Sequence, residues 1–344
     1  MSRITRRGLT LGAASAALLA DPLRHAMAQA ALSEATRNLP KTYAGTTLKI
    51  TWGNTPAYAQ VANFSKEFSE ATGIELEFVT LLQVDRYQKM MLDATSGTNS
   101  FDLYLTAYQW KEQLAPYAAD LTHIDKEVKG VPDPEWDDYP KAALEAYAKF
   151  ENKIVAIPLL GDVSMVVWNK KAFREAGLDP DTPSPSWDQV YKNGIKLTTG
   201  QQYGFNMPAG KSIQTACIWI TVFHGFGGQY FGADGKPGFN SAASVKTLHF
   251  MADELGKVSP AGHLTWDFPE MINSLATGQA AQGYMWAGGF STLFDPAKSV
   301  VAHDLGFAPT PQSVLLGGWG LAVNAKSHNL DAAKLFAGWL TSRE

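Results

Sequence analysis

The sequence predicts an α/β protein built as two lobes, and three observations predict it. Segments in which apolar residues alternate every second position are separated by segments with apolar residues at helical spacing, so strands and helices alternate along the chain. The 344 residues are 45% hydrophobic, enough for two cores, so two domains are the natural expectation. There is one cysteine, Cys217, and no internal repeat, low-complexity tract or heptad pattern, so the cores alone must hold the fold.

The first residues read as an address. Arg3, Arg6 and Arg7 precede an apolar run at 9–20, and Ala26-Met27-Ala28-Gln29-Ala30 follows with the small-residue pattern of a cleavage site. Residues 1–30 are therefore expected to be a signal peptide. The Thr5-Arg6-Arg7-Gly8-Leu9 stretch is twin-arginine-like, while Thr10 is less apolar than that pattern prefers, so the export route stays open. A membrane anchor needs about 20 apolar residues, and Gly12 and Ser15 interrupt this shorter run. Removing residues 1–30 takes away four Arg and Asp21, which leaves 25 basic and 32 acidic side chains and a net charge of −7. An acidic surface argues against nucleic acid or anionic lipid as a partner.

Leu48, Ile50 and Trp52 alternate with polar residues as in a strand, and Val61, Phe64, Phe68 and Ala71 then form a helix face that Gly73 ends. Ile74, Leu76 and Phe78 make a second strand. Tyr87, Met90, Met91 and Ala94 make a second helix face closed by Gly97, and 101–105 is a third strand. Three strand-helix alternations predict a mainly parallel sheet with helices on its faces. A second lobe opens with a strand at 163–168 and a helix that Gly177 closes. Ser186-Trp187-Asp188-Gln189 has the form of a capping box, Val245, Leu248, Met251 and Leu255 share a face, and Met271, Ile272 and Leu275 share another before Gly278. Ala332, Leu335, Phe336 and Trp339 form a last helix face, after which Thr341 to Glu344 reads as the start of another helix.

Seven short stretches carry a resemblance. They are Lys49-Ile50-Thr51-Trp52, the run 152–158, the run 167–173, Ala176-Gly177-Leu178-Asp179-Pro180, Pro185-Ser186-Trp187-Asp188, Gly278-Gln279-Ala280-Ala281 and the run 317–323. In that order, behind an export signal, the chain resembles the extracellular solute-binding proteins of carbohydrate ABC transporters, the broad family that includes maltose-binding protein. The resemblance implies a two-lobed periplasmic-binding-protein fold with the ligand cleft at the hinge. It implies crossings near 157–162 and 306–309, so that lobe one is 31–160 with 309–344 and lobe two is 161–308. Family members usually continue through several more helices, so lobe two is expected to lack C-terminal helices. The implied partners are a small ligand and the ABC permease subunits of the inner membrane, with the chain a monomer in the periplasm, without catalysis and without a cofactor.

Sugars offer hydroxyls to Asp, Asn, Gln and backbone groups and C–H faces to aromatic rings. Ten Trp and twelve Tyr are more than packing alone calls for. Trp52 and Asn54 sit where the first strand ends, the side of an open α/β sheet at which ligands bind, although Trp52 equally reads as core and Asn54 as a helix cap. Tyr108, with Gln109 and Trp110, follows the third strand and has the alternative of packing on its own lobe. Asp162 follows the crossing segment, where sugar-binding relatives commonly place an acid; otherwise it caps local amides. Trp286 before Gly288-Gly289 and Trp319 within Gly317-Gly318-Trp319-Gly320 are the expected stacking rings, since glycine lets a ligand approach the backbone. Trp219, Trp266 and His224 are weaker candidates. These positions contain no Arg, which favours a neutral sugar or polyol over an amino acid, polyamine, metal chelate or phosphorylated polyol, with Arg86 and Lys211 left open.

Enzyme readings have less support. The His residues lack metal-site spacing, 204–212 has one residue too many for a phosphate loop, no G-x-S-x-G elbow occurs, and Cys217 lies in an apolar run. A periplasmic carbohydrate-active enzyme would pair Asp162 with a second carboxylate, and none stands at an informative spacing.

Overall fold

The structure, a computed structural model, describes residues 34–342. The signal-peptide and twin-arginine expectations for 1–30 lie outside the described residues. In β1 (Thr47–Trp52), Leu48, Ile50 and Trp52 are buried. Helix α1 (Pro56–Phe64) follows, then a short helix that stops at Gly73, whose φ of 76° a side-chain-bearing residue adopts only with strain. Strand β2 (Glu75–Thr80), helix α2 (Gln83–Ser96) and strand β3 (Leu103–Ala107) complete the first unit, with Gly97 capping α2 at φ 70°.

Strand β4 (Ile157–Asn169) is the long element that joins the lobes. Beyond it come α3 (Trp187–Leu197), α4 (Ile213–Gly225), α5 (Phe268–Ala276), β5 (Gln282–Trp286) and β6 (Leu305–Pro309), then the return strand β7 (Leu316–Val323) and α6 (Leu330–Leu340). One seven-stranded sheet runs β2-β1-β3-β7-β4-β5, with β6 also on β4. Residues 157–163 of β4 pair with β7, whereas 164–169 lie between β5 and β6. A single strand therefore belongs to the sheets of both lobes, and Asp162 sits at the changeover.

Parallel pairing holds for β1 with β2 and β1 with β3, where helices make the crossovers. The remaining ladders among these seven strands are antiparallel, so the sheet is mixed; outside the N-terminal unit, parallel pairing is seen among the described residues as the isolated bridges Tyr203–Ala280 and Asn206–Gly283. The mixture arises because β7 returns against β3 and β4 without a crossover helix. The Ser186 hydroxyl does accept the Gln189 amide, but the Gln189 side chain goes to Asn193, so only half of that expected capping box forms. The complete box is at Asp267 and Glu270, which start α5.

Two large cores result. One gathers Leu48, Ile50, Phe68, Leu103, Leu321 and Phe336; the other gathers Val167, Trp187, Phe205, Ile218, Met271 and Tyr284, and they share no buried member. No helix among the described residues is long and apolar enough to cross a membrane.

Candidate functional site

Between the two cores lies a cleft of about 1530 Å³. Its walls follow from the sheet. The C-terminal ends of β1 and β3 bring Asn54 and Tyr108 to one side, α2 adds Arg86, and the changeover of β4 places Asp162 at the floor. The end of β5 brings Trp286 to the other side, and the start of β7 brings Trp319. Of the six expected ligand residues, the structure places Asn54, Tyr108, Asp162, Trp286 and Trp319 on this one cleft.

Trp52 is the exception and is corrected to a core residue. It is 1% exposed, its indole N–H donates to the Tyr58 carbonyl at 2.9 Å, and its ring packs on Tyr58 and Phe78. The strand end that carries it is covered by α1, so the position rule for strand ends applies to Asn54 and not to its neighbour. Among the weaker candidates, Trp219 lines the cleft and stacks on Phe223 at 4.7 Å. Trp266 and His224 are not on its walls, and the His224 ring nitrogen is held by the Gly228 carbonyl.

Asp162 lines the cleft and also holds local amides, the alternative role expected for it. One carboxylate oxygen accepts the amides of Val163 at 3.0 Å and Ala287 at 2.7 Å, which ties the floor of the cleft to the turn after β5. Burial pushes its acid up to about 6 against those amide bonds. Trp286 is mostly core: it is 7% exposed, and its indole donates to Gln214 Oε1 at 2.7 Å.

The glycines beside the two Trp residues have a different reason from the expected one. A Cβ on Gly317 would stand 2.6 Å from the Trp286 ring. Gly318 has φ of 140°, and a Cβ there would meet Tyr147 and the Leu160 carbonyl. Gly317 and Gly318 thus make room for the protein's own side chains and backbone at the seam of the lobes.

Arg86, which reasoning from sequence left open, also lines the cleft. It is 2% exposed, with its guanidinium carbon 4.4 Å from the Trp319 ring centroid and 5.9 Å from those of Tyr58 and Trp110. No ion pair or hydrogen bond engages its side chain among the described residues, and its Nε is sealed without an acceptor. Burial lowers the guanidinium to about 10, so it remains charged at neutral pH. Cation–π contacts return about 0.5–2 kcal/mol, less than the several kcal/mol that burying an unpaired charge costs. Arg86, Met90, Asp93 and Ala94 form the buried face of α2, so the i, i+4, i+7 spacing was the signal. Lys211 also lines the cleft, in the turn before α4. The inference of a neutral ligand rested on the absence of Arg from the site, and that support is removed.

Cys217 lines the wall formed by α4. It is buried, and burial pushes the thiol up to about 12, so it stays protonated.

Comparison with known proteins agrees with this architecture. Residues 52–344 match the model of the family described as bacterial extracellular solute-binding protein. Over 98% of its length the chain is 49% identical to a protein of Sinorhizobium fredii described as a probable amino-acid ABC transporter periplasmic-binding protein, 77% of which it covers. It is 29% identical to a mannitol-binding protein of Pseudomonas aeruginosa, over 86% of this chain and 69% of that one. Among solved structures it resembles an ABC transporter solute-binding protein of Agrobacterium radiobacter in complex with ribitol, with a TM-score of 0.79 and 28% identity over 87% of this chain and 77% of that one. Proteins of this kind work with ABC permeases outside the cytoplasm, in the periplasm or extracellular space. The two lobes, the strand shared between them and the family match together make this chain a member of the bacterial extracellular solute-binding protein family, the substrate-binding component of an ABC transporter.

Proposed function

We propose that the chain captures a small polyhydroxylated solute, a sugar or polyol, and presents it in a closed form to the permease of an importer. The observation that carries this reading is that Tyr108 and Trp319 from one lobe and Trp286 from the other bracket a single cleft with a carboxylate, Asp162, at its floor. Ring faces suit the C–H faces of a carbon chain, and an ionised carboxylate is a strong acceptor for hydroxyls. Gln109 lines the same cleft, and a side-chain amide suits one more hydroxyl. The relatives named for mannitol and ribitol support the same class.

The lobes divide at residues 160/161 and 308/309 in this reading, and the chain acts as a monomer. Solute is released unchanged in this reading. Closure is a population shift limited by the solute's preference for the closed state. Thermal melts and calorimetric titration against ribitol, mannitol, sorbitol, maltose and a set of amino acids test the assignment. A sugar or polyol at a hundred times its Kd should add about 2.7 kcal/mol of stability. If those solutes leave the melt unmoved while an amino acid shifts it, the carbohydrate reading fails. An amino acid is the second reading, supported by the description of the 49% identical relative. Product formed from any sugar would instead reveal an enzyme.

A further inference from the structure

We propose that Arg86 is the anchor for an anionic group of the solute, so that the solute is a small carboxylate, and, on the polyhydroxylated reading above, a sugar acid. The argument begins with a contrast inside one helix. Asp93 and Arg86 share the buried face of α2. Asp93 is fully engaged: its oxygens accept from the Thr98 hydroxyl, the Ser100 and Phe101 amides and the Tyr104 hydroxyl. Burial raises that acid, but these bonds outweigh it and hold it below the usual range. The fold thus satisfies a buried charge on this helix where the charge is structural.

Arg86 receives no such treatment. Three rings surround its guanidinium, its Nε is sealed without an acceptor among the described residues, and the residue lines the cleft. The acids that share the cleft do not neutralise it. Asp162 makes no ion pair with it and already accepts two backbone amides, while Asp267 and Glu270 are spent on the capping box of α5. Across the cleft, Lys211 and the N-terminus of α4, with Ser212 as its cap, add positive potential to the facing wall. A carboxylate can supply two acceptors to a guanidinium in its own plane, which a hydroxyl cannot. Gln109 lines the same cleft, where its amide can meet a hydroxyl of the same solute.

Calorimetric titration of the full chain with matched pairs decides the point: ribonate beside ribitol, gluconate beside sorbitol, mannonate beside mannitol, and glutamate and serine as carboxylates without a polyol chain. The expected result is that the best aldonate binds at least tenfold tighter than its alditol. That advantage should fall below threefold in Arg86→Gln and be partly kept in Arg86→Lys. Equal or tighter binding of the alditol in every pair overturns the anionic anchor while leaving the polyol reading standing. Amino-acid binding that Arg86→Gln abolishes, with no aldonate bound, keeps the anchor and removes the polyhydroxylated class. Absence of binding by every carboxylate tested overturns the proposal. Should Arg86→Gln fail to fold, the aldonate preference of the unaltered protein, with Arg86→Lys, still decides.

Discussion

The two walls of the cleft are built on opposite terms. On the second lobe several polar side chains along the cleft are already engaged. The Trp286 indole holds Gln214, Asp267 and Glu270 cap α5, and Lys298 pairs with Asp295 at 3.0 Å. On the first lobe the Arg86 guanidinium and Gln109 Oε1 have no hydrogen-bond or ion-pair partner among the described residues, and three rings crowd around the charge. Among the described residues, the unpaired charge on the second wall, Lys211, is exposed, whereas the one on the first, Arg86, is buried. The difference teaches where affinity is stored: an unsatisfied buried polar group is costly in the empty protein, and a solute that satisfies it recovers that cost.

The largest test of this comparison breaks the seam on which both walls depend. Gly318 lies at φ 140° against Tyr147 and the Leu160 carbonyl, so Gly318→Ala combines backbone strain with a clash against main chain. A loss of at least about 3 kcal/mol is expected in chemical denaturation, with both lobes destabilised because β7 pairs with β3 and β4. A variant as stable as the parent would mean that the seam is not rigid. Next is Trp319→Ala, which removes the ring between Tyr58, Trp110 and Arg86. It should cost about 2 to 3 kcal/mol of stability, the low end for a large aromatic because this ring is only half-buried, and it should also abolish measurable solute binding.

Asp162→Asn probes the floor between the walls. Binding should weaken more than tenfold, about 1.4 kcal/mol, with the fold intact, because the amide oxygen can still accept from Val163 and Ala287. The pH dependence has a defined sign. Burial raises the folded acid to about 6 from 3.8, so the folded protein holds that proton more tightly than the unfolded chain does. The associated stability is fully present below pH 4 and is lost as pH rises through 6. Hydroxyls that donate to the ionised form reverse the trend for affinity, which should tighten from pH 5 to pH 7 and then level. Melts and titrations across that range should lose both slopes in Asp162→Asn; slopes that persist would assign them to another group.

Much of the first lobe was legible in sequence. Alternation in β1, helical spacing in α2 and the glycines that stop the helices at 73 and 97 are local signals, and the structure follows them. The position of Asp162 was also legible, because a crossing segment can be recognised by its neighbours. What escaped was long-range. The antiparallel pairing of β4 with β7 joins segments separated by the whole second lobe, and no local pattern reports it. Trp52 and Asn54 differ by two positions, yet one is sealed and the other lines the cleft, because α1 folds over the strand end. The spacing of Arg86 with Met90 and Asp93 puts it on the buried face of α2, but that local signal does not say what would surround its charge. Only the arrival of Trp110 and Trp319 makes it a caged charge.

The smallest expected effect is the most direct test of the difference between the walls. If the first wall stores strain in an unpaired charge, then Arg86→Met should leave the empty protein as stable as before, or more stable by about 0.5 to 1 kcal/mol, since a buried charge without a partner is replaced by an apolar chain of similar length. The melting temperature would rise by roughly 2 °C for a chain of this size. The guanidinium is lowered to about 10, so it is charged throughout the neutral range, and the gain should not vary between pH 6 and 8. The same change on the second wall should go the other way. Gln214→Met strands the Trp286 indole N–H without its acceptor and should lower stability by about 1 to 2 kcal/mol. Opposite signs for two polar-to-Met substitutions facing one cleft would establish that one wall is built for the protein and the other for its solute. Matching signs would dissolve the distinction.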